Sequence, residues 1–106
     1  MNIGMAIRFV RTNLNVSQKE LSRCCGLAQT SLSQIENNIK KPQGKTIQNI
    51  CKALDVPESI IYMIAMEEKD ISVSKRIMYQ VVHPSITNLA LKMIQAKDEI
   101  PELVIA

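Results

Sequence analysis

Residues 17–38 read Ser17-Gln18-Lys19-Glu20-Leu21-Ser22-Arg23-Cys24-Cys25-Gly26-Leu27-Ala28-Gln29-Thr30-Ser31-Leu32-Ser33-Gln34-Ile35-Glu36-Asn37-Asn38, and the architecture of the chain follows from them. Ser17 and Glu20 have the spacing of a capping box, in which each side chain satisfies the other residue's backbone N–H. A helix should therefore start there and run to about Cys25, burying Leu21 and a cysteine. Gly26 stops it, because glycine takes a positive φ without steric cost. A second short helix is predicted from Gln29 to Asn37, with Asn38 able to end it in a left-handed conformation. At ~100° per residue, Ala28, Leu32 and Ile35 share one face of that helix. Its opposite face carries Thr30, Ser33, Gln34 and Asn37, with Gln29 at the start. None of these is charged, and all can donate and accept hydrogen bonds. A merely solvated face usually carries Lys and Glu. Glutamine pairs bidentately with adenine, and Ser or Thr meets donors, acceptors or the thymine methyl, so this face has the residue types that read base edges.

On the N-terminal side, Ile3, Ile7, Val10 and Leu14 recur at helical spacing, and Asn13 and Asn15 allow a left-handed stop. On the other side, Ile39 to Gly44 is a basic loop held by Pro42. Residues 45–54 form a fourth helix with Ile47, Ile50, Cys51 and Leu54 inward. Pro57 suits the first turn of a fifth helix carrying Ile60, Ile61 and Ile64. Beyond Met66, a charged stretch leads to a predicted helix over 74–82. Pro84 is expected to push His83 out of helical geometry. A last helix over 85–97 has the stripe Ile86, Leu89, Ala90, Met93 and Ile94, followed by the apolar tail residues Leu103, Val104 and Ile105.

The chain has 106 residues, enough for one domain with a short appendage. With 3% aromatic residues and no alternating β-branched runs, a sandwich or barrel is disfavoured and an all-α fold is expected. The longest apolar run, Ile60 to Met66, is far short of the ~20 residues that span a bilayer. The first residues lack the pattern of a signal peptide. A cytoplasmic protein without membrane contact is the expectation. Cys24, Cys25 and Cys51 make no disulfide framework, and His83 has no ligand-like spacing to them, so they read as packed thiols and no metal or other cofactor is expected. His83 itself reads as a helix-end residue. No nucleophile–base set, phosphate loop or carboxylate pair stands out, so no catalytic residue is assigned and the chain is not expected to be an enzyme. Residues 1–56 carry eight Lys and Arg against three Asp and Glu, whereas residues 57–106 carry five against seven. A basic front half suits a polyanion, and the acidic back half suggests another task.

Residues 3–64 resemble the phage lambda-repressor and Cro-like helix-turn-helix family, the XRE group of bacterial transcriptional regulators. The resemblance lies in Arg8-x-x-Arg11, Val16-Ser17-Gln18-Lys19-Glu20-Leu21, Gly26-Leu27, Leu32-Ser33-Gln34-Ile35-Glu36, Pro42 and Ile50-Cys51-Lys52-Ala53-Leu54-Asp55-Val56. It implies a five-helix DNA-binding domain, placed over residues 1–66; residues 67–106, outside the resemblance, read as a helical extension. It also implies base reading by Gln29, Thr30, Ser33 and Gln34, and phosphate contact by Gln18, Asn37, Lys40 and Lys41. Arg11 and Glu36 match a buried ion pair tying the first helix to the third. The sequence departs from the family at Ala28, where Ser or Thr is the usual N-cap, at Ser22 and Gly44, where an apolar residue is usual, and at Asn38, where Gly is common.

The function these readings favour is a repressor that binds double-stranded DNA at a near-palindromic operator as a homodimer. Ile86, Leu89, Met93 and Ile94 are the expected dimer contacts, and folding of the same helices back on the first and fifth is the alternative. Two other functions stay open: a DNA-binding antitoxin that holds a toxin protein through residues 65–106, and a protein-interaction adaptor on the same fold.

Overall fold

The computed structural model describes residues 1–96, all helical or loop, with no strand among them. Helices α1 (Ile3–Asn13), α2 (Gln18–Cys24), α3 (Gln29–Glu36), α4 (Gly44–Leu54) and α5 (Glu58–Ala65) enclose one core. Ile7, Val10, Leu21, Leu32, Ile35, Ile50, Ile61 and Ile64 are its largest fully buried side chains. The spacing of these residues puts one apolar face of each helix inward. Turns between the helices are closed by residues that tolerate positive φ: Asn15 at 58°, Gly26 at 70°, Asn38 at 59° and Asp55 at 55°. Asn and Asp take this conformation because a short polar side chain can hydrogen-bond locally there. Asn2 caps α1, its Oδ1 accepting from Met5 N at 3.0 Å and from Asn38 Nδ2 at 2.8 Å. Ala28 leaves α3 without a side-chain cap, which costs ~1 kcal/mol relative to Ser or Asn there. Ser22 is buried, and its hydroxyl donates to Lys19 O at 2.9 Å.

Past α5, two single 3-10 turns, Glu68–Asp70 and Val73–Lys75, lead into α6, Arg76–Gln95. The break predicted between two helices at His83-Pro84 is absent: Pro84 sits inside one continuous helix and His83 is helical. Proline in a helix interior costs ~3 kcal/mol, mainly through the lost N–H bond to the residue four back. Gln80 and Pro84 are both exposed, so water can serve the freed carbonyl. Side-chain bonds anchor the helix on both sides of the proline. Tyr79 Oη donates to Met66 O at 2.6 Å, Gln80 Nε2 to Glu68 Oε1 at 3.0 Å, and Gln95 Nε2 to Asn13 O at 3.0 Å. His83 Nε2 lies 3.0 Å from Met63 O. At ~0.5–1.5 kcal/mol each, four such bonds are of the same order as the proline cost.

α6 packs on α5 and on α1. The predicted stripe therefore divides. Ala90 is buried and Ile94 packs against the core, whereas Leu89 and Met93 are 66% and 57% exposed. Ile86 is half-buried. Lys97 and the tail residues Leu103, Val104 and Ile105 lie outside the described residues.

Gly4, to which the sequence pattern gave no role, is buried where α1 crosses the end of α3. A Cβ there would overlap the backbone carbonyl of Ile35 and come within 2.7 Å of Asn38 Oδ1. Gly44, by contrast, has open space around its Cα. Gly4→Ala should lower unfolding free energy by ~1–3 kcal/mol or more, because a helix carbonyl cannot step aside. Gly44→Ala should be neutral or raise it by up to ~1 kcal/mol. Urea denaturation of both variants checks this; equal effects would mean that the α1–α3 approach is not tight.

Candidate nucleic-acid interface

The local geometry of residues 17–41 determines which side chains face solvent together. Ser17 Oγ accepts from Glu20 N at 3.0 Å and Glu20 Oε1 accepts from Ser17 N at 3.4 Å, starting α2. The turn closes through Leu27 N, which donates to Ser22 O at 2.9 Å. With Leu32 and Ile35 buried, α3 turns its polar face outward. Gln29 and Thr30 are exposed, and Ser33 and Gln34 are half-buried. Asn37 is exposed, but its Nδ2 donates back to Ser33 O at 2.9 Å and approaches Ser33 Oγ at 3.4 Å. Its carbonyl oxygen is the part left for another partner. After α3, Ile39 N and Lys40 N both donate to Gln34 O, at 2.9 and 3.2 Å, so the chain doubles back and projects Lys40 and Lys41 beside the helix. Both lysines are exposed.

The polar face rests on a buried charge pair. Arg11 Nε donates to Glu36 Oε2 at 2.7 Å and Arg11 Nη2 to Glu36 Oε1 at 2.9 Å, a bidentate fork. Arg11 and Glu36 are 9% and 5% exposed. Arg11 Nη1 also donates to Val16 O at 3.0 Å, holding the α1–α2 turn. Gln18 Nε2 donates to Glu36 Oε1 at 3.2 Å. Gln18 is thus oriented by the pair, with its carbonyl oxygen and second N–H left over.

Ile39, placed by the sequence at the start of the loop after α3, is 75% exposed there. Cys51 is buried and Cys25 half-buried, as expected for packed thiols, whereas Cys24 is exposed, against that expectation, because it falls on the solvent side of α2. Burial pushes the Cys51 thiol up to about 11, with the nearby Glu58 carboxylate adding to the shift, and burial also raises Cys25. Among the described residues no group of His, Cys, Asp and Glu could hold a metal ion, and no helix is long and apolar enough to cross a membrane.

A capped helix, a left-handed glycine turn and a second helix with an outward polar face make up a helix-turn-helix. The sequence model of the Helix-turn-helix family matches residues 7–61, and the chain belongs to that family, in its lambda repressor-like XRE form. It is similar to two uncharacterised HTH-type transcriptional regulators from two strains of Mycobacterium tuberculosis, 34% identical over 62 residues. That stretch is 58% of this chain and 44% of each relative, so the match covers less than half the length of the curated relatives. No solved structure matches the chain.

Arg11→Met should destabilise the domain by ~3–5 kcal/mol, because it strands the Glu36 carboxylate in the interior. Adding Glu36→Leu should recover much of that loss. A denaturation double-mutant cycle checks this, and a coupling energy near zero would contradict the fork.

Proposed function

We propose that the chain is a sequence-specific DNA-binding transcriptional regulator, acting as a repressor by occupying a near-palindromic operator as a dimer in the cytoplasm. The observation that carries this reading is the uncharged polar surface of α3, Gln29, Thr30, Ser33 and Gln34, with Lys40 and Lys41 exposed immediately beyond it. In this reading α3 enters the major groove and its neutral side chains hydrogen-bond to base edges. Gln18, Asn37, Lys40 and Lys41 hold sugar-phosphate and set the register. The mechanism is occupancy, with no bond made or broken by the chain and no cofactor. The mycobacterial relatives, named as HTH-type transcriptional regulators, favour the regulatory part of this reading.

Two copies reading half-sites one helical turn apart, ~34 Å, roughly double the contacts of one copy, which is why a dimer belongs to the reading. The division of labour within the surface makes it testable. On duplexes enriched from a random pool, Gln29→Ala and Gln34→Ala should each weaken binding by ~1–3 kcal/mol while leaving binding to unrelated DNA nearly unchanged. Equal loss on both kinds of DNA would remove these residues from base reading.

Lys40→Ala and Lys41→Ala should instead weaken binding to every sequence alike. Each should also make the plot of log affinity against log salt shallower by ~0.9, the value for one lost phosphate contact on duplex DNA. Titrations by fluorescence anisotropy at several salt concentrations measure both effects. An unchanged slope would take the loop out of the interface, and failure to enrich any duplex would overturn the reading as a whole.

A further inference from the structure

The solvent side of α6 is the least expected surface of the molecule. Every fourth residue from Ile77 to Met93 falls on one ridge: Ile77, Val81, Ser85, Leu89 and Met93. The four apolar members are 78%, 69%, 66% and 57% exposed, and Met78 and Val82 beside them are 65% and 37% exposed. Together these six apolar side chains leave on the order of 650 Å² in water, above the ~300–600 Å² of the largest apolar patch on a typical monomer. That area is close to the ~800 Å² per partner of a standard interface.

We infer that this face is covered by the same face of a second copy, crossed antiparallel at Ser85. The inference rests on the dimeric part of the function proposed above. Three features of the face favour a two-fold partner. The ridge is symmetric about its one small residue, so an antiparallel crossing sets Ser85 against Ser85 of the second copy, and Val81 against the second copy's Leu89. Ridges of residues four apart are the ones that interdigitate in the commonest class of helix crossing, and a small central residue allows close approach.

The face also carries its own hole. A groove of about 300 Å³ lies between α5 and the N-terminal half of α6, lined in part by Met63, Met66, Tyr79, Val82 and Ile86. The Tyr79 hydroxyl and the His83 Nε2 in its wall are already taken by backbone carbonyls, so the groove suits apolar side chains. The knobs Leu89 and Met93 stand on the C-terminal half of the same helix. Antiparallel pairing brings the knobs of each copy to the hole of the other, which is what an isologous interface requires.

Charge favours the same direction, by degree. Two lysines are exposed on this side of the helix: Lys75 at its N-cap, which also lines the groove, and Lys92 near its C-terminal end. Parallel pairing would oppose like with like at both. Antiparallel pairing places each Lys92 seven residues from the crossing, roughly 21 Å apart along the helix at ~1.5 Å per residue, and offsets Lys75 from the second copy's Lys92 by roughly 5 Å. Screening over ~8 Å at physiological salt makes the larger separation harmless and leaves the smaller one as a residual repulsion.

The test uses the full chain with Cys24→Ser, which removes the exposed thiol. Sedimentation equilibrium at tens of micromolar should give a dimer. Ser85→Cys should form an interchain disulfide under mild oxidation. Val81→Cys and Leu89→Cys chains should cross-link to each other when mixed, and far less when alone. Leu89→Lys should give a monomer with unchanged helix content by circular dichroism, since Leu89 is largely exposed in the single chain. A full chain that stays monomeric overturns both this surface and the dimeric reading, whether its own tail or another molecule covers α6. A dimer that survives Leu89→Lys, or cross-links through Val81 to Val81, overturns the surface and leaves the dimeric reading standing.

Discussion

Glu36 is a carboxylate sealed inside a small helical domain, and the arrangement of everything around it follows from satisfying that charge. A buried carboxylate without partners costs several kcal/mol, so its donors must be in place whenever the domain is folded. Three of them come from two different elements: Arg11 Nε and Nη2 from α1, and Gln18 Nε2 from the first position of α2. The remaining reach of Arg11 goes to Val16 O in the turn between those helices. One carboxylate thus sets the mutual rotation of α1, α2 and α3. Apolar side chains could fill the same volume at equal or better stability. They would not impose direction, because a bidentate fork is satisfied at one orientation, and the direction of α3 is what a groove-reading surface needs.

This constraint also bears on why the outward face of α3 carries no charge. The cation and anion nearest to α3 neutralise each other inside the domain, and the outward face of α3 is left with amides and hydroxyls. Two exposed cations, Lys40 and Lys41, stand beyond the end of the helix, on a loop whose path is set by two backbone donors to Gln34 O. Neutral groups discriminate because a wrong partner leaves them unpaired, whereas ammonium groups attract any phosphate. In the proposed reading, keeping the two kinds on adjacent but distinct elements would let affinity and discrimination be altered independently.

Much of this was legible in the sequence because it is local. The Ser17–Glu20 box, Gly26 and Asn38 act through their own backbone within a few residues, so spacing alone places them. The uncharged face of α3 follows from helical periodicity once Leu32 and Ile35 are assigned inward. What was not legible depends on residues far apart in the chain. Pro84 reads as a helix break by any local rule, and it is overruled by anchors to Met63, Met66 and Asn13. Gly4 looks like an ordinary poor helix former until α3 is laid across it. The stripe from Ile86 to Ile94 has the periodicity of a buried face, but periodicity does not say which neighbour buries which edge. Ile94 and Ala90 face their own core, and Leu89 and Met93 do not.

The continuity of α6 has a consequence for how two half-sites would be spaced. A helix broken at Pro84 would place any dimer contact on a hinge, and the two reading heads would then adjust to a range of separations. The unbroken helix is instead bonded along its length: to Glu68 and Met66 near its start, to Met63 at its middle, and to Asn13 at its end. Asn13 lies two residues beyond Arg11, and Arg11 grips Glu36 at the end of α3. A path of buried or hydrogen-bonded groups therefore runs from the solvent face of α6 through α1 to the polar face of α3, with no flexible linker in it. If two copies pair through α6 as proposed, that path would fix the distance between their α3 helices, and half-site spacing would be a property of the packed core that insertions of even a few base pairs in the DNA would violate.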